Sequence, residues 1–151
     1  MVPLDGSELA ECVFPHLESF IQRFSLDQII LARVVQPPKK PSPIQASQLE
    51  SIEKNIVERE SLSRDYLETV SKKIPADGVD MRLDVIVGTV AESLIDHARE
   101  KAVDLILMAT HGRSGISRWV MGSVADRILH GAIIPILMIR SPGVKELRLS
   151  G

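Results

Sequence analysis

The 151-residue sequence has one cysteine, Cys12, so no intramolecular disulfide framework can form, and a lone thiol suits a reducing cytosol. An excess of one charge is also missing. Eighteen lysines and arginines face 20 acids, for a formal net charge of -2, which excludes a general attraction to nucleic acid or membrane surfaces. The longest apolar run, Ala132 to Ile139, is interrupted by Pro135 and is too short to span a bilayer. The first residues carry Asp5, Glu8 and Glu11 with no basic start, unlike a secretory signal. Together these absences predict a soluble, cytoplasmic protein with neither nucleic acid nor membrane as partner.

Several chemical motifs are absent as well. There is no G-x-x-x-x-G-K-[ST], hence no phosphate lysine of the Walker type. No G-x-G-x-x-G follows the first strand, which argues against a dinucleotide, and no G-x-S-x-G elbow presents a nucleophile. His16, His97, His111 and His130 show no paired metal-ligand spacing. The residues therefore nominate no catalytic group and no metal site.

What is present is an alternation of short apolar runs with helical patterns. The length fits one domain, taken as residues 1–151 with 141–151 as a tail. Val2 to Leu4 reads as the end of a strand, and so little precedes the Asp5-Gly6 turn that the strand is expected to begin upstream of Met1. A helix capped by Ser7 should run to Phe24. Asp5 stands at a strand's carboxyl end, where α/β proteins place ligand-contacting groups, although it could equally serve as a helix cap. A second strand spans Asp27 to Val35, and the proline-rich stretch Gln36 to Pro43 is a surface connection. The longest helical pattern covers Ala46 to Ile74. Glu50–Lys54, Glu60–Arg64 and Glu68–Lys72 are spaced as i,i+4 pairs on its wet side, a solvated face without chemistry.

Met81 to Val87 forms a third strand. Thr89 and Glu92 then have capping-box spacing at the start of a helix reaching Ala102. Asp96 and His97 on that helix read as surface residues. Leu105 to Ala109 suits a strand buried on both faces. A turn rich in Gly and Ser follows, holding Gly112, Arg113 and Arg118 and no acid, and Gly122-Ser123 opens a helix ending near His130-Gly131. The last strand covers Ile133 to Arg140 with Pro135 near its start, and the tail could add one short strand. Crossovers that each hold a helix imply a parallel sheet with helices on both faces. A small-residue loop between a strand end and a helix start is a site for phosphate, because the first helical N–H groups lack internal partners and the helix dipole favours an anion. The same loop could also be an ordinary solvated turn.

Ala109-x2-Gly112-x9-Gly122-Ser123 resembles G-x2-G-x9-G-(S/T), the signature of nucleotide-binding members of the universal stress protein family. The resemblance extends to Val2-Pro-Leu-Asp-Gly-Ser7 and to Pro135-Ile-Leu-Met-Ile-Arg140, and so runs the length of the chain. It implies a single-domain, three-layer, Rossmann-like α/β sheet of five parallel strands, order 3-2-1-4-5, with about four helices on its two faces. It implies that Asp5 and Pro3 lie beside the adenosine of ATP and that the Val34 backbone meets the adenine. Met108 and Ala109 would line the end of the fourth strand, and Gly112, Arg113, Gly122, Ser123 and Val124 would surround ribose and phosphates. It further implies a homodimer through the last strand, Ile136 to Ile139, which would cover an otherwise aggregation-prone edge.

The chain departs from the family pattern in its short first strand and in Ala109, which replaces the first glycine of the signature. Ala at that position would cost about 1–2 kcal/mol if φ were positive, but a residue ending a buried strand is expected to have negative φ. The resulting expectation is an ATP-binding dimeric stress or signalling adaptor, with or without Mg2+, acting through unidentified protein partners with no or very slow hydrolysis. The alternatives are a dimer that has given up nucleotide and a weak ATPase, for which His111 and Ser123 are the neighbours with useful chemistry.

Overall fold

The computed structural model of the protein describes residues 1–38, 46–110 and 121–140. Its strands are β1 (Val2–Pro3), β2 (Gln28–Val35), β3 (Asp80–Val87), β4 (Ile106–Ala109) and β5 (Ile136–Ile139). The helices are α1 (Glu8–Glu11), α2 (Phe14–Arg23), α3 (Ala46–Ser71), α4 (Val90–Glu100) and α5 (Ser123–Gly131). The possible short strand beyond Ser141 falls outside the described residues.

All strand pairs are parallel. β2 lies between β1 and β3, with Pro3 opposite Ala32 and Val35 opposite Val87, while β4 pairs with β5. The two groups meet at Met1. Its carbonyl accepts from the Leu107 N–H at 2.9 Å and its amino group donates to the Leu105 carbonyl at 2.8 Å, the bonding pattern of a parallel pair. The expected order 3-2-1-4-5 thus holds within each group, and the seam between β1 and β4 is reduced to these two bonds. Burial pulls the Met1 amino group down to a pKa of about 6, against a smaller opposing pull from Asp104.

Successive strand residues feed opposite faces, as pleating requires. Ile29, Leu31, Leu107 and Ala109 join Leu17, Leu67 and Val70 in a core with α1, α2 and α3. Ile30, Ala32, Ile106 and Met108 join Leu94, Ala98 and Ile128 in a second core with α4 and α5. The result is a three-layer α/β/α sandwich, and the continuous burial of β4 reflects a strand covered on both sides.

The structure corrects several sequence expectations. The helix from Ser7 to Phe24 is two helices, α1 and α2, broken around Cys12-Val13. Pro15 has no N–H for the carbonyl of residue 11 and is accommodated in the first turn of α2 instead. Thr89 is the N-cap of α4 but makes no side-chain cap bond, so the capping box does not form, and Glu92 approaches Arg127 at 3.8 Å instead. α4 stops at Glu100, and Ala102 adopts a left-handed φ of 49° as the Val103 N–H returns to the Ala98 carbonyl.

His97 is not a solitary surface residue. Its Nε2 lies 2.7 Å from Asp84 Oδ2 on β3 in a half-buried pair, whereas Asp96 is exposed beside Arg99. The three i,i+4 pairs expected along α3 form no ion pair among the described residues; Lys73 reaches across to Glu11 at 3.0 Å. β5 begins after Pro135, later than expected, and leaves Ile133 86% exposed.

Candidate functional site

β1 turns away before β2 ends, and this opens the site. Leu4 makes a last bond to the Ala32 carbonyl at 2.8 Å before the chain turns away, while β2 continues to Val35. A cavity of about 510 Å3 opens there, at the carboxyl ends of β1, β2 and β4, and lies within the range of roughly 300–1,000 Å3 typical of small-molecule sites. α/β sheets bind ligands at this edge, where the crossovers diverge to opposite faces.

Eight of the ten residues singled out from the sequence line this one cavity. Pro3 and Asp5 come from the end of β1, Val34 from β2, Met108 and Ala109 from β4, and Gly122, Ser123 and Val124 from the start of α5. Gly112 and Arg113 lie outside the described residues, as does His111. Ala109 is the last residue of β4 and is not among the residues with positive φ, so alanine carries no backbone strain there. Gly122 has φ -61° and ψ 144°, extended backbone open to any residue. Its place in the cavity wall therefore does not depend on glycine's conformational freedom.

The β1 side of the cavity is held by side chains. Ser7 accepts from the Ala10 N–H at 3.2 Å and caps α1, which settles the competition with Asp5 for that role. Asp5 Oδ1 accepts from both the Ser7 N–H at 2.9 Å and the Ser7 hydroxyl at 2.6 Å, fixing the turn. Gly6 has φ +86°, a conformation that favours glycine, and a Cβ there would stand 2.9 Å from Nη2 of Arg33, so any larger residue would have to displace the guanidinium. The Arg33 guanidinium also lies over the Tyr66 ring, 4.7 Å from its centroid. The Tyr66 hydroxyl donates to Glu11 at 3.1 Å. Burial, reinforced by the Glu11 carboxylate, drives the phenol well above its usual range, so it stays protonated and donating.

On the β4 side the backbone does the work. The Gly122 N–H donates to the Thr110 carbonyl at 3.0 Å, placing the start of α5 against the end of β4. α5 has no side-chain cap, and its first residues Ser123, Val124 and Ala125 line the cavity. The first amides of a helix have no intrahelical acceptors, so an anion here meets donors and the positive end of the dipole.

Sequence reasoning found Val34 on β2 but missed Arg33 beside it and the contribution of α3. Arg33 lies on a strand read simply as apolar, and Arg59, Leu62 and Ser63 lie on a helix whose charged side was read as a solvated face. The Arg59 guanidinium donates to the Gln36 carbonyl at 2.8 Å, tying α3 to the end of β2. The only available signal was the helical spacing of Arg59, Leu62 and Ser63 beside the apolar residues Ile56, Leu67 and Val70. Among the described residues no group of three His, Cys, Asp or Glu side chains could hold a metal ion, and no helix is long and apolar enough to cross a membrane.

A doubly wound α/β sandwich with a crevice at the carboxyl ends of its strands is an architecture that places ligand sites at that edge. The universal stress protein family model matches residues 1–140, and the chain belongs to that family. It is 28% identical over 142 residues to universal stress protein MJ0531 of Methanocaldococcus jannaschii, covering 94% of this chain and 81% of that one. Its fold is similar to that of the solved universal stress protein UspA of Lactobacillus plantarum, with TM-score 0.77 and 18% identity over 92% and 94% of the two chains. A family protein of Arabidopsis thaliana, solved with AMP bound, aligns with TM-score 0.59 and 17% identity over 97% and 92% of the chains.

Proposed function

We propose that the cavity binds an adenine nucleotide, ATP in the first instance, and that the protein works as a dimeric stress or signalling adaptor rather than as an efficient hydrolase. The convergence of Pro3, Asp5, Val34, Met108, Ala109, Gly122, Ser123 and Val124 on one cavity carries the reading. These residues come from both ends of the chain and from four elements or their edges. The AMP-bound plant relative supports the ligand class.

In this reading the nucleoside lies between Asp5 and Val34, and the phosphates lie against the uncapped start of α5. Asp5 presents its carboxylate at the end of β1, where a ribose hydroxyl is a suitable donor. Any Mg2+ arrives with the phosphates. No general base is identified near Ser123 among the described residues, which is why binding is favoured over turnover.

Denaturing extraction of freshly purified protein followed by mass analysis is the direct test. Adenine nucleotide near stoichiometric amount supports the proposal, and protein that neither carries nor takes up any adenine nucleotide refutes it. The same reading includes a homodimer along β5, and the half-burial of its four residues Ile136 to Ile139 in the single chain leaves area for such a contact. Leu137→Arg is expected to give monomer or aggregate by size exclusion, and an intact dimer in that variant would place the interface elsewhere.

A further inference from the structure

Ser63 is the one polar or charged residue among the buried described residues, with 3% exposure. It sits on α3 and lines the cavity. Its hydroxyl makes no hydrogen bond among the described residues, in contrast to Ser19, Thr69 and Ser71, whose hydroxyls return to carbonyls of their own helices. Every fully enclosed side-chain nitrogen and oxygen among the described residues does have a partner. An unbonded hydroxyl on a buried residue of the cavity wall must therefore open onto the lumen.

A buried hydroxyl left unpaired is costly, so one held at a cavity wall marks a contact to be made with a ligand. We propose that Ser63 is a specificity-determining residue that hydrogen-bonds the nucleoside half of the bound nucleotide, an inference that rests on the adenine-nucleotide reading of the site. The choice of the nucleoside half follows from the layout. α3 packs over β2 and β3, and one turn before Ser63 its Arg59 is tied to the Gln36 carbonyl just beyond Val34 and Val35. The phosphate end lies across the cavity, where α5 follows β4. Ser63 thus faces the ligand from the face opposite to α5, beside the strand expected to meet the base. A hydroxyl can both donate and accept, which suits a base edge or a ribose hydroxyl, whereas phosphates are served by the helix amides.

The test compares Ser63→Ala with the unaltered protein, both stripped of nucleotide, by thermal unfolding and by calorimetric titration with adenosine, AMP and ATP. Alanine removes no protein hydrogen bond, so the nucleotide-free melting temperature should stay within about a degree. Affinity for all three probes should fall by the same factor, roughly three- to ten-fold, the worth of one hydrogen bond. Unchanged affinity for every probe would overturn the proposal. So would a loss confined to AMP and ATP, which would place the contact at phosphate. A fall of several degrees in the nucleotide-free melting temperature would make Ser63 a structural residue and also overturn it. Failure of the unaltered protein to bind any probe would defeat the nucleotide reading itself, a result distinguishable from all of these.

Discussion

The two sides of the cavity are built by different means. On the β1 side, polar side chains are engaged with one another: Ser7 caps α1, Asp5 holds Ser7, Arg33 lies on Tyr66, and Tyr66 and Lys73 both bind Glu11. On the β4 side, α5 begins with no side-chain cap and its first residues face the cavity. α4 also lacks a side-chain cap, and its first residue Val90 is part of the same wall. A helix supplied with its own acceptor has little left to offer an anion, whereas one without it keeps its donors available. Among the described residues the β1 side is therefore a frame of side chains bonded to one another, and the β4 side presents helix starts without side-chain caps. The proposed binding mode uses the first to orient a nucleotide and the second to attract it.

Substitutions can break this contrast selectively. The largest effect is expected for Gly122→Asp, because a carboxylate at the N-cap of α5 would fill the place proposed for phosphate. Aspartate is a favoured N-cap and the local φ and ψ suit it, so the nucleotide-free protein should be as stable as before or more so by a few tenths of a kcal/mol. Stabilisation by ATP should vanish. A variant that keeps the full ATP-induced shift would show that the phosphates lie elsewhere.

The matching change on the other side is Gly6→Ala. Strain at φ +86° should lower stability by about 1–2 kcal/mol in denaturant titration, and pushing Arg33 aside should loosen the Asp5 turn. Here stability and nucleotide affinity are expected to fall together, the reverse of the Gly122→Asp pattern. A smaller effect is expected for Tyr66→Phe. Losing the bond to Glu11 should cost about 1 kcal/mol, while the ring under Arg33 remains and nucleotide affinity changes less than with Gly6→Ala. If Tyr66→Phe weakened binding more than Gly6→Ala, the turn would not be the route by which the frame acts.

The same contrast explains what could be read from the sequence. Continuous apolar runs such as Ile106 to Ala109 announce a strand covered on both faces, and their alternation with helical patterns prescribes a parallel sandwich. The β4 side of the site was legible because its chemistry is backbone chemistry, written as small residues at a strand-to-helix junction. The β1 side was legible only at Pro3 and Asp5. Arg33, Arg59 and Ser63 reach the cavity because α3 packs across β2, and no local pattern encodes that packing. His97 and Asp84 were missed for the same reason, being 13 residues apart on different elements. The break before α2 was legible in principle, since Pro15 forbids an uninterrupted helix. Thr89 shows the converse failure: the motif spacing was correct, but Glu92 lies nearer Arg127 than its own helix start would require.

The central claim, that this cavity is an adenine-nucleotide site, is tested most directly by thermal unfolding of nucleotide-stripped protein across an ATP titration. A ligand that binds only the native state adds about 2.7 kcal/mol at one hundred times its dissociation constant, which for a chain of this size raises the melting temperature by roughly 5–10 °C. The account predicts a rise of that order that grows with the logarithm of ATP concentration and disappears in Gly122→Asp. A melting temperature unmoved at millimolar ATP would contradict it.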